Sequence, residues 1–400
     1  MRIAAVKEGV VSMAAPIRNA YVDFSAMTAS VVAVVSDLST DGGPLVGFAF
    51  SSNGRYAQRG LLRERFIPRL LEADAAEYAE PDGSNIDPAQ VRRLLLANEK
   101  PGGHGERPVA VALLETAIWD LVAKIEGKPL HRLVAERYRD GADPDESVFV
   151  YAAGGYYTPD DDLGALRDEI SSYLAEGYTA VKLKIGGASL TDDIRRIEAV
   201  IEVVGDSQRV AVDANGRFDL EMARTYGDAL RSLDLMWYEE PGDPLDFELM
   251  ADLAGHYPKP LATGENLFSL QDARNLIRHA GMRPDRDWLQ FDPALSYGVI
   301  EYVQIVEMLE AYAWSPRRCI PHGGHQLGLN LAAGLRLGGN ESYPKVFAPF
   351  GGFADDVAIE NGRVRLPEVP GVGFEAKASV MAVFESLLDG SLEAPKEVEP

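Results

Sequence analysis

From about residue 146 onward the chain repeats one pattern: a short, nearly all-apolar run, a break, and a stretch with helical periodicity. The runs are SVFVYAAGG, YTAVKLKIGG, QRVAVDANG, LMWYEEPGD, KPLATGEN, DWLQFDPA and RRCIPHGGH, with PKVFAPF read as the last. Strands that are apolar on both faces belong to a parallel sheet covered by helices. Eight such units fit a closed (β/α)8 barrel better than an open sheet, because such barrels take roughly 250 residues. No dinucleotide fingerprint follows any of these strands, which argues against a Rossmann arrangement. Helices are expected over 162–176, 191–204, 220–233, 247–254, 269–279, 298–311 and 327–335.

In a barrel of this kind, chemistry gathers at the C-terminal ends of the strands. The polar residues ending the runs are Lys182 and Lys184, then Asp213, Glu239, Glu265, Asp292 and His322. From Lys184 onward they are spaced 26 to 30 residues apart, one βα unit each. Neighbouring strand ends sit side by side around one mouth, so this spacing brings all seven together. Lys182 and Lys184 share a strand face because strand side chains alternate with a period of two.

Asp213, Glu239 and Glu265 fall on consecutive strands. Three converging carboxylates without a cation raise one another's pKa. A hard divalent ion resolves the repulsion, and an all-oxygen ligand set favours Mg²⁺. The bland alternative is three strand-end acids meeting solvent, and the regular spacing weighs against it. Glu240 and Asn215 adjoin the three and can support them. Lys184 faces His322 across the mouth. Lys182 and the cation are expected to lower the Lys184 pKa toward working pH, as a base requires. Asp292 is placed to orient the His322 imidazole. HGGH lacks the intervening Glu of the helical zinc motif, and Gly-Gly breaks a helix, so a zinc site is not read there.

Residues 1–140 read as an α+β unit, with strands over 1–11, 29–37 and 45–50 and helices over 60–75, 87–98 and 109–125. EKPGGHGERP is a glycine-rich loop without the Gly-Lys-Ser/Thr ending of a phosphate loop. The organisation expected is a capping domain over 1–140, a barrel over 141–355, and a segment over 356–400 that packs back on the cap. That last segment carries a short strand near 364–366 and a helix over 377–388, and its end, EAPKEVEP, is expected to fray.

The formal net charge of −23 argues against nucleic acid or an anionic membrane as partner. It leaves an acidic substrate open, since a site can be locally basic. Cys319 is the one cysteine and cannot form an internal disulfide. With charges where a signal peptide needs an apolar core, this points to a reducing cytoplasm. The apolar runs are strand-sized and too short to span a bilayer.

VKLKIGG, VDANGRFDL, WYEEPGDP, ATGEN, FDPALSYG and PHGGHQLG together resemble the enolase superfamily, mandelate racemase group. The resemblance covers most of the chain, cap included. It implies a modified TIM barrel with an α+β capping domain, and one Mg²⁺ per subunit on Asp213, Glu239 and Glu265. It implies Lys184 and a His322–Asp292 dyad as acid and base, Lys182 beside the metal-bound carboxylate, and Glu341 in GGNESYP as an acid contacting substrate. It also implies a symmetric homo-oligomer.

APIRNAY, SNGRY, NEKPGGHGER, YAAGGYY and GGNESYP further resemble the tartrate dehydratases of that group. This implies removal of the proton α to a carboxylate of D-tartrate and loss of the β-hydroxyl as water, giving oxaloacetate. The distal carboxylate of such a hydroxy dicarboxylate needs a cation and amide donors. Lys100, Asn19 and Asn53 are the candidates, with Tyr156 behind them. For both asparagines a turn-forming role is the competing reading. A dehydratase or racemase for a longer sugar acid would use the same central residues. A barrel that binds metal or ligand without catalysis is a third reading, against which the intact lysine–histidine pair weighs.

Overall fold

The computed structural model describes residues 1–13, 15–40, 42–158 and 163–392. Val- and Ala-rich stretches near the N-terminus pair as an antiparallel sheet of β1 (Ile3–Ser12), β2 (Thr28–Thr40) and β3 (Gly43–Phe50), in that order across the sheet. Successive residues of β3 point to opposite faces. Gly47 lies against the helix Arg107–Ile125, where a Cβ would sit 1.9 Å from the Ala117 carbonyl oxygen. Phe48, on the other face, stacks on Phe384 of the helix Ala378–Asp389 at 4.4 Å. The sheet is thus sandwiched between a central helix and a C-terminal one.

The helix Arg107–Ile125 is buried from Pro108 to Ala123, and its buried acids tie the chain together. Asp120 accepts from the backbone N–H groups of Phe48 and Val372. Glu115 accepts from the N–H groups of Val299 (2.7 Å) and Ile300 (3.0 Å) and from Trp119 Nε1 (2.9 Å). It therefore caps the helix Val299–Ala311, whose own N-cap is Gly298 and has no side chain to do so. Burial, opposed by these donors, raises the Glu115 carboxyl from 4.5 to about 7. Between those values the folded protein holds a proton that the unfolded chain releases, so stability from this group falls as pH rises from 4.5 to 7. Glu115→Gln is expected to flatten that slope in thermal melts across this range. Glu115→Ala is expected to cost about 2–4 kcal/mol by denaturant titration, by orphaning buried donors.

The barrel strands are β4 (Val148–Gly154), β5 (Val181–Lys184), β6 (Val210–Asp213), β7 (Trp237–Glu239), β8 (Leu261–Thr263), β9 (Trp288–Leu289) and β10 (Asn340–Ser342). Each is parallel to the next from β4 to β9, and β10 returns to pair with β4. Residues 319–322 fill the remaining place. Cys319 bridges Leu289, the Ile320 N–H donates to the Leu289 carbonyl, and the Glu341 N–H donates to the Pro321 carbonyl. Among the described residues the ring closes with eight staves. Helices follow the strands, several started by side-chain caps at Ser189, Asp219, Asp246 and Ser269.

Three expectations need correction. The last stave is Asn340–Ser342, not PKVFAPF. Pro344 and Pro349 lack the N–H that a central strand requires, and Phe347 instead packs on Phe24 and Tyr343 at 5.0 Å each. The segment after residue 355 does not all return to the cap. Its hairpin β11 (Ile359–Glu360) and β12 (Arg363–Val364) extends the barrel sheet antiparallel to the N-terminal end of β4, away from the mouth, whereas Gly371, Val372, Phe374 and the last helix pack on the cap. A helix, Leu130–Tyr138, stands where none was read. The expected helix start at Asp162 and the tail EAPKEVEP lie outside the described residues. Among the described residues no helix is long and apolar enough to cross a membrane.

Candidate active site

Parallel register sets the strand-end residues side by side: Lys184 opposite Asp213, and Asp213 opposite Glu239. β5 is buried on both faces, so Lys182 and Lys184 point into the barrel rather than to solvent. Carboxylate oxygens of Asp213, Glu239 and Glu265 lie within 4.8 Å of one another. Asp213 accepts from Lys184 Nζ at 2.5 Å and from the Asn215 N–H at 2.8 Å, with Lys182 Nζ 3.4 Å away. Glu239 accepts from Lys182 Nζ at 2.6 Å and from Trp237 Nε1 and Gln290 Nε2 at 2.8 Å each. Glu265 Oε2 is buried without a hydrogen bond.

The charges at this site pull in different directions. Burial raises the Asp213 carboxyl, but Lys184 and Lys182 outweigh it and hold the group well below the usual range. Burial and the neighbouring Asp213 push Glu239 up to about 8. Crowded carboxylates, one with an oxygen that makes no hydrogen bond and only an ion pair to His322, are the donor set of a hard cation. The three residues fit Mg²⁺ in type and convergence. Asn215 and Glu240 follow the ligands with left-handed φ of 47° and 38°, local strain of the kind that concentrates at functional sites. The strain turns Asn215 onto Asp213 and lets Glu240 accept from Asn266 Nδ2 at 2.9 and 3.1 Å.

His322 Nδ1 lies 2.9 Å from Asp292 Oδ2, and Nε2 lies 3.3 Å from both Glu265 Oε2 and the Tyr343 hydroxyl. Burial lowers the imidazolium pKa, but Glu265, Glu341 and Asp292 outweigh it and raise it to about 10. For Lys184, burial lowers the pKa and Asp213 overrides it, leaving the ammonium well above its ordinary value. This reverses the lowering expected from Lys182 and a cation. Asp213, which holds the ammonium, also belongs to the metal triad, so an ion bound there would compete for the main partner of the Lys184 charge.

A cavity of about 490 Å³ opens over these groups, lined by Lys184, Asn215, Glu240, Glu265 and His322 from the barrel. Asn19, Asn53 and Tyr156 line it too. Asn19 uses its side-chain oxygen to accept from the N–H groups of Tyr21 and Val22, so it also fills the turn-forming role and has only its amide N–H to offer. Tyr156 stands with its ring 5.1 Å from Lys184 Nζ, and burial pushes its phenol up to about 12. Lys182 and Glu341 form an ion pair of 2.7 Å behind the cavity wall, so Glu341 braces Lys182 and the Gly323 N–H instead of lining the cavity.

Lys100 does not reach the site. It is exposed, its carbonyl accepts from Arg107, and it is not among the lining residues. The capping cation there is Arg55, which sequence reasoning missed although it stands in SNGRY, two places after Asn53. Arg55 donates to Asn266 Oδ1 at 2.8 Å, lies 4.7 Å over the Phe268 ring, and has no carboxylate partner among the described residues. Tyr343, two places after Glu341, was missed in the same way.

Residues 165–380 match the family model described as Enolase C-terminal domain-like. The chain belongs to the enolase superfamily. It is 30% identical over 296 residues to the arabinonate dehydratase of Saccharolobus solfataricus, covering 70% of this chain and 74% of that protein. It is 29% identical over 353 residues to the L-talarate/galactarate dehydratase of Salmonella typhimurium, covering 87% and 81%. The crystal structure of the Salmonella enzyme superposes with a TM-score of 0.73 at 25% identity, over 92% of this chain and 87% of that one. L-Talarate dehydratase from a Polaromonas species, solved with Mg and L-glucarate, gives 0.72 at 26% over 94% and 97%. These superfamily relatives are dehydratases named for sugar acids, not for tartrate. The cofactor is Mg²⁺, and Asp213, Glu239 and Glu265 are the buried acidic triad for it.

Proposed function

We propose that this enzyme is a hydro-lyase acting on a hydroxy dicarboxylate, D-tartrate first among them, and releasing oxaloacetate and water. Arg55 carries the dicarboxylate reading. It is a cation without a carboxylate partner among the described residues, and it lines the same cavity as Glu265 of the metal triad. One carboxylate of a diacid would meet the ion at the triad and the second would meet Arg55, with the amides of Asn19 and Asn53 lining the same cavity. The likeness of the capping loops to tartrate dehydratases supports a short diacid over a longer one.

When bound, Mg²⁺ supplies positive charge beside the substrate carboxylate whose α-proton is removed. Lys184, as the free amine, takes that proton. His322, charged and held by Asp292, gives its Nε2 proton to the β-hydroxyl. The carbon–oxygen bond breaks, water leaves, and the enol product tautomerises to the 2-keto acid. Lys182, pinned between Glu239 and Glu341, keeps a fixed positive charge beside the triad.

The test is a panel of D-, L- and meso-tartrate, galactarate and arabinonate with Mg²⁺, read by keto-acid formation. D-Tartrate is expected to turn over fastest. Arg55→Ala is expected to raise KM for a diacid by about 10- to 100-fold, since a hydrogen bond to a charged group contributes about 1.5–3 kcal/mol. KM for a monocarboxylate should change little. Turnover confined to arabinonate would sink the diacid reading.

A further inference from the structure

We infer that Ser52 of the capping domain is a positioning residue for the general acid, joining the His322–Asp292 dyad across the domain boundary. The inference rests on the dehydratase reading above and deepens it. β3 delivers the residue: Phe50 pairs with Val31, the Ser51 N–H donates to the Ser30 carbonyl, and the Ser30 N–H donates to Ser51 Oγ. The next residue, Ser52, is buried at 1% exposure, and its Oγ donates to Asp292 Oδ2 at 2.6 Å. The same Asp292 oxygen holds His322 Nδ1, and the other accepts from the Ala294 N–H at 2.7 Å. Three donors from three different parts of the chain therefore fix the plane of one carboxylate.

Gly323 shows how closely this junction is packed. A Cβ there would lie 2.9 Å from each of Asp292 Oδ2, Ser52 Oγ and His325 Nε2, and its φ of +103° favours glycine independently. Beyond Ser52 the chain runs directly into Asn53, Gly54 and Arg55, which line the cavity. One loop thus covers the substrate and grips the acid. With the Ser52 bond removed, Asp292 is free to turn about its Cβ–Cγ bond, and the His322 ring loses its fixed aim. Lys184 is untouched, because its partner Asp213 lies on another strand.

Base and acid should therefore separate. Mg²⁺-loaded wild type and Ser52→Ala are compared in D₂O with D-tartrate, following keto acid and α-deuterium in recovered substrate. Keto-acid formation is expected to fall on the order of 10- to 100-fold, the range for losing an outer partner of a site group. The ratio of exchange to elimination should rise, KM should move by less than about 3-fold, and Ser52→Thr should restore elimination. Parallel loss of exchange and elimination, or no loss of either, would overturn the role. If Ser52→Ala melts out, Ser52→Cys gives the same comparison, since a thiol is a weak donor. A wild type with neither signal on any acid sinks the dehydratase reading itself, whereas an active wild type with an unchanged ratio in the variant sinks only Ser52.

Discussion

Lys184→Ala is expected to abolish α-deuterium exchange and keto-acid formation together, each by about 10²- to 10⁴-fold, the usual contribution of a positioned proton-transfer group. The reason is order. The α-proton must leave before the β-hydroxyl can, so losing the base removes both signals, whereas losing the acid removes only the second. His322→Asn is the paired control and should keep exchange while elimination fails. In the proposed mechanism Lys184 is the base: it lines the cavity, it is buried, and its charge is held chiefly by Asp213, a member of the metal triad. The fold should survive the substitution, because Asp213 keeps Lys182 at 3.4 Å and the Asn215 N–H at 2.8 Å. Equal thermal midpoints in Mg²⁺ would show that the loss is chemical. Exchange that persisted in Lys184→Ala would place the base elsewhere and overturn the mechanism.

The barrel was legible because its strands are largely buried on both faces and six of the runs lead into a charged or histidine residue that an apolar core would not accept. Asp213, Glu239 and Glu265 announce themselves by spacing, and parallel register then forces them together. The last stave was misread because hydrophobicity marked PKVFAPF, while Asn340–Ser342, polar by composition, forms the strand. Its side chains are paid for by partners far away in sequence: Ser342 with Tyr178, Glu341 with Lys182. Periodicity carries no record of such partners.

The cap was less legible for a related reason. Strand ends of a barrel are fixed by register, but a loop residue reaches the site only through the path of its backbone. Lys100 and Arg55 are both cations in glycine-containing loops, and composition does not separate them. What does is the end of β3, which anchors Ser51 and Ser52 and so carries Arg55 over the cavity. The loop with Lys100 is instead held at its carbonyl by Arg107, whose side chain also donates to the Tyr297 hydroxyl.

Removing the metal is expected to have an equally large effect. Chelation should stop turnover and Mg²⁺ should restore it, because the carboxylate next to the departing proton then has no partner for the charge that builds on it. The ion also has a thermodynamic signature independent of activity. The triad is costly without an ion: Glu239 is pushed up to about 8 by burial and Asp213, and Glu265 Oε2 makes no hydrogen bond and has only the His322 charge nearby. A ligand that binds only the folded state adds about 2.7 kcal/mol at one hundred times its Kd, so the thermal midpoint should climb with Mg²⁺ concentration. Glu265→Gln should lose that climb with little harm to the fold, since Glu265 contributes least to the surrounding hydrogen bonds. Asp213→Asn should lose it too, but with a second consequence: Lys184 gives up its main countercharge and its pKa drops, even in the absence of metal. A Mg²⁺-dependent midpoint shift of wild-type size in Glu265→Gln would mean that the ion sits elsewhere, and that the three strand-end acids converge for the sake of the two lysines alone.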